Sequence, residues 1–240
     1  MGVLKKNIFK DMIKVAVHLG HKKSEWNPKM GYYILTECRN LHIINLVQTA
    51  HFLSGTCDFV LDAARKRKEF LIVGTRTYAA DLIASAAKKA GCHYVNYKWQ
   101  GGLLTNWSTT KERLERFRNL KQKYDSGLFH RRRTKKEIAL IEKQLALLQQ
   151  YLGGILYMKK LPDIVIIVDQ QKESTAVREC RALGIPIIGL VDTNCDPDLV
   201  DIPIPANDDA RGSVGLILNK IMSAVSYGYN TINKQPNLKL

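Results

Sequence analysis

Apolar residues fall along this chain in two rhythms. Short continuous runs at 42–46, 70–73, 93–96, 164–168 and 187–191 read as strands. The longest of them, such as Ile164-Val165-Ile166-Ile167-Val168, are apolar throughout, as strands buried on both faces of a parallel sheet must be. Between the runs, apolar positions recur every three or four residues over 49–68, 78–90, 174–183 and 208–227, which predicts helices. Gly91 and Gly184 stand where the second and third of these should close. Residues 202–205 predict a brief edge strand, because Pro203 and Pro205 cannot donate to a central ladder. Strands alternating with helices predict an α/β domain: a mostly parallel sheet flanked by helices, a Rossmann- or flavodoxin-like three-layer sandwich.

The alternation breaks in the middle. Ile138, Ile141, Leu145, Leu148 and Leu152 repeat with 3-4-3-4 spacing, one face of a long helix. Trp107, Leu114, Phe117, Leu120 and Tyr124 form a less regular stripe before it, and Gly127 lies between the two. Two arms of roughly 18 residues reach about 27 Å at 1.5 Å per residue. They predict a protruding antiparallel coiled-coil hairpin. The expected organisation is a basic N-terminal segment (1–31), an α/β domain in two pieces (32–102 and 158–228), a coiled-coil insertion (103–157) and a mobile tail (229–240). Gly101-Gly102 and Gly153-Gly154 flank the insertion and are expected to make its tight turns.

Charge sharpens this picture. The net charge is +15, and it is unevenly placed. Residues 1–31 hold seven Lys/Arg against two Asp/Glu, and residues 105–136 hold eleven against three. Residues 137–240 carry ten basic and twelve acidic groups. So few acids cannot neutralise the first arm by pairing along a helix, and a local excess of this kind points to a polyanionic partner. Lys22, Lys23, Trp26 and Lys29 interleave cations with an aromatic ring, a pattern that can set charges on phosphates beside a stacking surface. Lys111, Arg113, Arg116 and Arg118 on the first arm, with Arg131, Arg132, Arg133, Lys135 and Lys136 at the tip, suit backbone contact and not base reading. These thirteen residues are the candidate RNA contacts. Trp99 and Trp107 frame the hairpin root as packing anchors.

Enzymatic chemistry finds little support. The turns after two strands, Gly74-Thr75-Arg76 and Asp169-Gln170-Gln171, contain neither GxGxxG nor a phosphate loop. Residues 192–198 begin like a calcium loop but place Pro197 at its sixth position and Pro203 at its twelfth, so they read as a turn-rich loop. Asn207-Asp208-Asp209 reads as the cap of the last helix. His18 and His21, three residues apart, could hold a divalent metal with Asp192 or Asp209 if the fold brings them together. No other cofactor is expected, nor any small-molecule substrate. Five scattered cysteines with no CxxC fit reduced, buried thiols. Residues 1–16 lack a signal-peptide core, Lys6 breaks the myristoylation pattern, and no apolar run reaches 18 residues, so no membrane contact is expected.

Nine strings in order carry a resemblance. They are His18-Leu19-Gly20-His21, Trp26-Asn27-Pro28-Lys29-Met30, His42-Ile43-Ile44-Asn45-Leu46, Phe70-Leu71-Ile72-Val73-Gly74-Thr75 and Gly101-Gly102-Leu103-Leu104-Thr105-Asn106-Trp107. Leu161-Pro162-Asp163, Gly184-Ile185-Pro186, the 192–198 loop and Ile204-Pro205-Ala206-Asn207-Asp208-Asp209-Ala210 complete them. Over residues 10–227 the chain resembles protein two of the small ribosomal subunit, bacterial and organellar type. Thr36-Glu37-Cys38, Cys92-His93-Tyr94-Val95-Asn96 and Asp169-Gln170-Gln171 are most similar to the plastid branch. The resemblance implies an α/β sandwich with a projecting coiled coil and no catalytic activity. It also implies binding to small-subunit ribosomal RNA and neighbouring small-subunit proteins. A metal around His18, His21, Asp192 and Asp209 is implied for some members. The expected location is a plastid ribosome in the stroma, with a bacterial cytoplasm as the alternative; lack of a transit peptide suggests synthesis inside the plastid. Gln100 departs from the apolar residue usual in the family, and Ala16 from the usual glycine. A nucleotide-binding enzyme on a Rossmann-like scaffold is the competing expectation, on fold analogy alone.

Overall fold

In the computed structural model, residues 8–127, 129 and 134–233 are described. Arg131, Arg132 and Arg133 lie outside these residues. The centre is a five-stranded sheet of β4 (Phe70–Val73), β5 (His93–Val95), β6 (Ile164–Ile167), β7 (Ile187–Val191) and β8 (Ile202–Pro205). Its order is β5-β4-β6-β7-β8, and every pairing is parallel. The proline-bearing β8 lies at an edge, where its missing donors leave no ladder bond unmade.

Successive residues of a strand face opposite sides, and the central strands are apolar on both. Phe70, Ile72, Ile164, Ile166, Ile188 and Leu190 join one buried cluster. That cluster is closed by α1 (Ile8–Lys14), α2 (Leu46–Arg65), α3 (Thr77–Ala90) and α7 (Arg211–Asn233). Leu71, Val73, Val165, Ile167, Ile187 and Val191 join the other. There the cover comes from α6 (Ser174–Ala182) and parts of α4 (Trp107–Asp125) and α5 (Lys135–Leu152). Three layers result, as the sequence predicts.

Local chemistry sets the ends of these elements. Asn45 Oδ1 accepts the Val47 N–H at 3.0 Å, so α2 begins at Leu46 and not at residue 49. Gly91, at φ 70°, closes α3 as expected. Thr134 and Glu137 cap the start of α5 reciprocally. The apolar stripes of the two arms are inside: Leu114, Phe117, Ile141 and Leu152 are buried, and Leu120, Tyr124, Ile138, Leu145 and Leu148 are half-buried. Tyr124 Oη donates to Glu142 Oε1 at 2.6 Å, linking the two helices.

Two expectations need correction. The 42–46 run is not part of the main sheet. Its strand β3 (Leu41–Ile44) lies between β1 (Leu19–Lys22) and β2 (Ile34–Cys38) in a separate antiparallel sheet. The turn joining β2 to β3 holds Arg39 and Asn40 at φ 52° and 62°, the left-handed pair that a tight hairpin requires. The last helix does not stop before Gly228 but runs to Asn233. A Cβ at Gly228 would come within 2.6 Å of Ala64 Cβ, so this glycine serves close packing of α7 on α2 and ends nothing. Tyr229 beyond it donates to the Lys68 carbonyl at 2.7 Å. Gly153-Gly154 does lie in a tight turn, the 3₁₀ segment Gly153–Ile155, with neither glycine at positive φ, and Gly154 also answers to space: a Cβ on it would overlap the Tyr94 carbonyl oxygen on β5. Ala16 adopts φ 59°. This conformation favours glycine, so alanine holds it at some cost in strain.

Candidate functional site

The basic candidates fall into distinct environments. On α4, Lys111 and Arg113 are exposed, Arg116 is 3.6 Å from Glu112, and Arg118 is half-buried with its Nε donating to the Leu114 carbonyl at 3.3 Å. Lys135 and Lys136 open α5, both exposed. Lys22 ends β1, and Lys23 pairs with Glu37 at 2.8 Å. Lys29 reaches Asp196 at 2.8 Å and Asp198 at 2.7 Å, so its charge is matched within the chain. Those contacts raise the Lys29 pKa, Asp196 contributing most. Trp26 lies over His42 with ring centroids 5.0 Å apart and its own surface 36 % exposed. It thus anchors the N-terminal segment and still presents an edge to solvent. Among the described residues, these cations are carried by different elements: Lys22 on β1, Lys111 to Arg118 on α4, and Lys135 and Lys136 on α5.

A second constellation forms where the parallel strands end. The residues following β6, β7 and β8 bring up Asp169, Asp192 and the Asp208-Asp209 pair; β1 brings His21, and the turn after β4 brings Arg76. Asp169, Asp192 and Asp208 are each at most 2 % exposed. His21 Nδ1 stands 3.1 Å from Asp192 Oδ1 and its Nε2 3.2 Å from Asp209 Oδ2. Arg76 Nε binds Asp169 Oδ2 at 2.5 Å. Contact with Asp192 holds His21 up to about 9 against the opposing effect of burial. Burial, then repulsion from Asp192, Asp169 and Asp209, pushes Asp208 up to about 8. Backbone bonds lock the frame: His21 N donates to Thr193 Oγ1 at 2.8 Å, and Asn27 N to the Thr193 carbonyl at 2.8 Å. Gly20 makes this approach possible, since a Cβ there would come within 2.5 Å of Thr193 Cγ2. Asp208 N bonds Asp192 Oδ2 at 3.2 Å, and Tyr78 Oη donates to the Asp208 carbonyl.

Of the four metal candidates, His21 and Asp209 share one cluster with Asp208, their ligand atoms all within 4.8 Å of one another, and Asp192 touches His21. His18 does not join them. A helix would set positions three apart on one face, but His18 ends the turn after α1 and His21 lies in β1, so the two share no helix face. Asp208 was not among the candidates, because its string read as a helix cap. Asn207 Oδ1 does accept the Asp209 and Ala210 amides at 2.9 and 3.1 Å, which leaves Asp208 turned inward. The residues fit a divalent cation. Asp208 Oδ1 is buried with no hydrogen-bond partner, and the close His21–Asp192 approach is not aligned for a hydrogen bond. One imidazole and several carboxylates are the donors that zinc and similar ions take.

The loop at 192–198 behaves as a turn. Asp192 Oδ1 accepts the Thr193 amide at 2.5 Å, and Asp196 Oδ1 the Asp198 amide at 3.1 Å. In open parallel sheets, ligands enter where the strand order reverses, here between β4 and β6. That crevice is bridged internally. Glu173 Oε1 accepts both Thr75 N at 2.8 Å and Thr75 Oγ1 at 2.6 Å, and the Arg76–Asp169 pair lies beside it. The amide that a nucleotide phosphate would need already has an acceptor. Burial pushes the Glu173 carboxyl up despite its two Thr75 bonds.

Among the described residues, no helix is long and apolar enough to cross a membrane. In a comparison with protein families, the model described as Ribosomal protein S2 matches residues 12–228.

Proposed function

The chain belongs to the ribosomal protein S2 family, and from that membership we propose that it is a plastid-branch constituent of the small ribosomal subunit, held there by ribosomal RNA and neighbouring small-subunit proteins. Proteins of the family are structural components of the ribosome. The observation that carries the reading is the extent of the match, which covers the α/β sheet, both long helices and the acidic constellation. Charge supports the RNA half of it. Residues 105–136 hold eleven basic groups against three acidic ones, more than pairing along α4 can absorb.

Within this reading, residues 103–157 are an antiparallel coiled-coil insertion in an α/β domain made of 32–102 and 158–228. Lys22, Lys111, Arg113 and Arg118, with Arg131, Arg132, Arg133, Lys135 and Lys136, supply phosphate contacts. The internally paired Lys23, Lys29 and Arg116 contribute less, and Trp26 adds a ring at the surface. The role is architectural: the fold presents charge to RNA, and the crevice where a nucleotide enzyme would bind its substrate is bridged by Glu173 and Asp169. A divalent cation would be held by His21, Asp208 and Asp209, with Asp192 beside them. When bound, it supplies positive charge to carboxylates that otherwise repel one another. Thr36-Glu37-Cys38 and Asp169-Gln170-Gln171 support the plastid branch, a bacterial source being the alternative.

The test is fractionation of an organelle or cell lysate on a sucrose gradient, with this chain located by mass spectrometry. Stoichiometric presence in the small-subunit and whole-ribosome peaks through a moderate salt wash is expected. Presence only in the ribosome-free top fractions would overturn the reading.

A further inference from the structure

Tyr157 belongs to none of the basic runs of the sequence, yet the fold places it, 72 % exposed, beside one of them. It lines a cavity of about 520 Å³ with Leu156 from the turn after α5 and with Arg118, Lys121 and Gln122 from α4. Asp125 and Ser126 also line it, so one carboxylate stands against two cations. Leu156 is 3 % exposed and pins the turn to the core, which fixes the position of the neighbouring tyrosine. Arg118 is tethered to its own helix through the Leu114 carbonyl.

An exposed aromatic ring flanked by cations is the chemistry that holds single-stranded nucleic acid: the base stacks on the ring and its phosphates meet the charges. The Gln122 amide adds donors and an acceptor for a base edge, and Ser126, whose hydroxyl donates to the Lys123 carbonyl at 3.0 Å, adds an acceptor. We propose that this cavity is a stacking site for one unpaired nucleotide of RNA, with its base on Tyr157 and its flanking phosphates on Arg118 and Lys121. The proposal rests on the RNA-binding reading above and adds to it a contact that duplex RNA cannot make, since paired bases are not available to stack on a protein ring.

The experiment is fluorescence anisotropy of the full chain with labelled single-stranded and duplex oligoribonucleotides of equal length, at 50 and 200 mM salt. Tyr157→Ala is expected to weaken single-strand binding by about fivefold or more. The factor should be the same at both salt concentrations, because stacking releases no counterions. Duplex binding should be unchanged, and Tyr157→Phe should restore the wild-type affinity. Arg118→Ala/Lys121→Ala should instead reduce the steepness of the single-strand salt dependence by about 1.4 in log–log slope. If the wild type binds RNA but Tyr157→Ala binds single strands equally well, the stacking site falls and the RNA reading stands. The site also falls if both RNA forms lose affinity alike, or if Tyr157→Ala releases a protein neighbour from assembled subunits and leaves RNA affinity intact. If the wild type binds neither form, the RNA reading itself falls. Complete displacement of the oligonucleotide by equimolar mononucleotide would overturn RNA as the occupant.

Discussion

Glu179 Oε1 accepts the indole N–H of Trp99 at 2.9 Å, tying α6 to the segment that leads out to the long helices. The same oxygen takes the Gly102 amide at 2.8 Å. Oε2 takes the amides of Leu104 and Thr105 at 2.9 and 3.1 Å, and the Thr105 hydroxyl at 3.2 Å. A carboxylate 7 % exposed is therefore surrounded by donors, and it organises the whole turn between β5 and α4. Since α4 carries Lys111, Arg113, Arg116 and Arg118, four of the candidate RNA contacts, this side chain braces the turn from which they are presented.

Glu179→Gln should destabilise the protein by about 3 kcal/mol, because the amide turns an NH₂ group toward donors and leaves them unsatisfied. Urea denaturation would measure the loss, and hydrogen exchange should show the Leu104 and Thr105 amides opening first. A variant as stable as the wild type would mean the clamp contributes nothing.

The pH dependence of this clamp has a definite sign. Burial alone would raise the Glu179 pKa, but the Trp99 bond and the three backbone amides outweigh it and hold the group below its ordinary value. A carboxyl lowered in the folded state adds stability above its unfolded value of about 4.3 and loses it as pH falls through the folded value. The gap in stability between wild type and Glu179→Gln should therefore be constant from pH 7 to 5 and shrink below about pH 4.3. A gap that widens on acidification would contradict the assignment.

Gly154→Ala should cost about 2 kcal/mol or more, since its methyl group would meet the Tyr94 backbone of β5. Gly101→Ala is the matched control. No atom lies within 4 Å of a Cβ at Gly101, and its change should stay within about 0.5 kcal/mol. Thermal or urea unfolding of the two variants side by side would check the contrast; equal effects would show that both glycines act through the unfolded chain alone.

Zinc at about a hundred times its dissociation constant should stabilise the wild type by about 2.7 kcal/mol. His21→Ala and Asp208→Asn should abolish the shift, while Asp58→Asn on the exposed face of α2 should preserve it. Calorimetric scans with and without the ion would show this. An undiminished shift in Asp208→Asn would remove that residue from the site.

How much of this was legible beforehand depends on the range over which each feature is decided. The strands of the main sheet, the 3-4 stripe of α5 and the left-handed Gly91 cap are local: neighbouring residues state them, and the structure agrees. Gly228 and Gly154 show the opposite case. Both looked like punctuation, and both are places where another element comes too close for a side chain. The acidic constellation was half legible. His21, Asp192 and Asp209 could be named as candidates, but Asp208 could not, because its inward turn follows from how Asn207 holds the next two amides. Nothing near Glu179 in sequence announced its role, since the four residues that donate its five hydrogen bonds lie 74 to 80 residues away.

The amino-acid sequence by itself determined the α/β class, the positions of the main strands along the chain, the helices of the central insertion and where the positive charge resides. These follow from periodicity and composition, which are properties of contiguous segments. The tertiary structure decided which carboxylates converge on His21, which lysines are matched internally, and that Tyr157 stands beside Arg118 and Lys121. Those are distances between segments far apart in the chain, and only packing of the two apolar faces of the sheet brings them together.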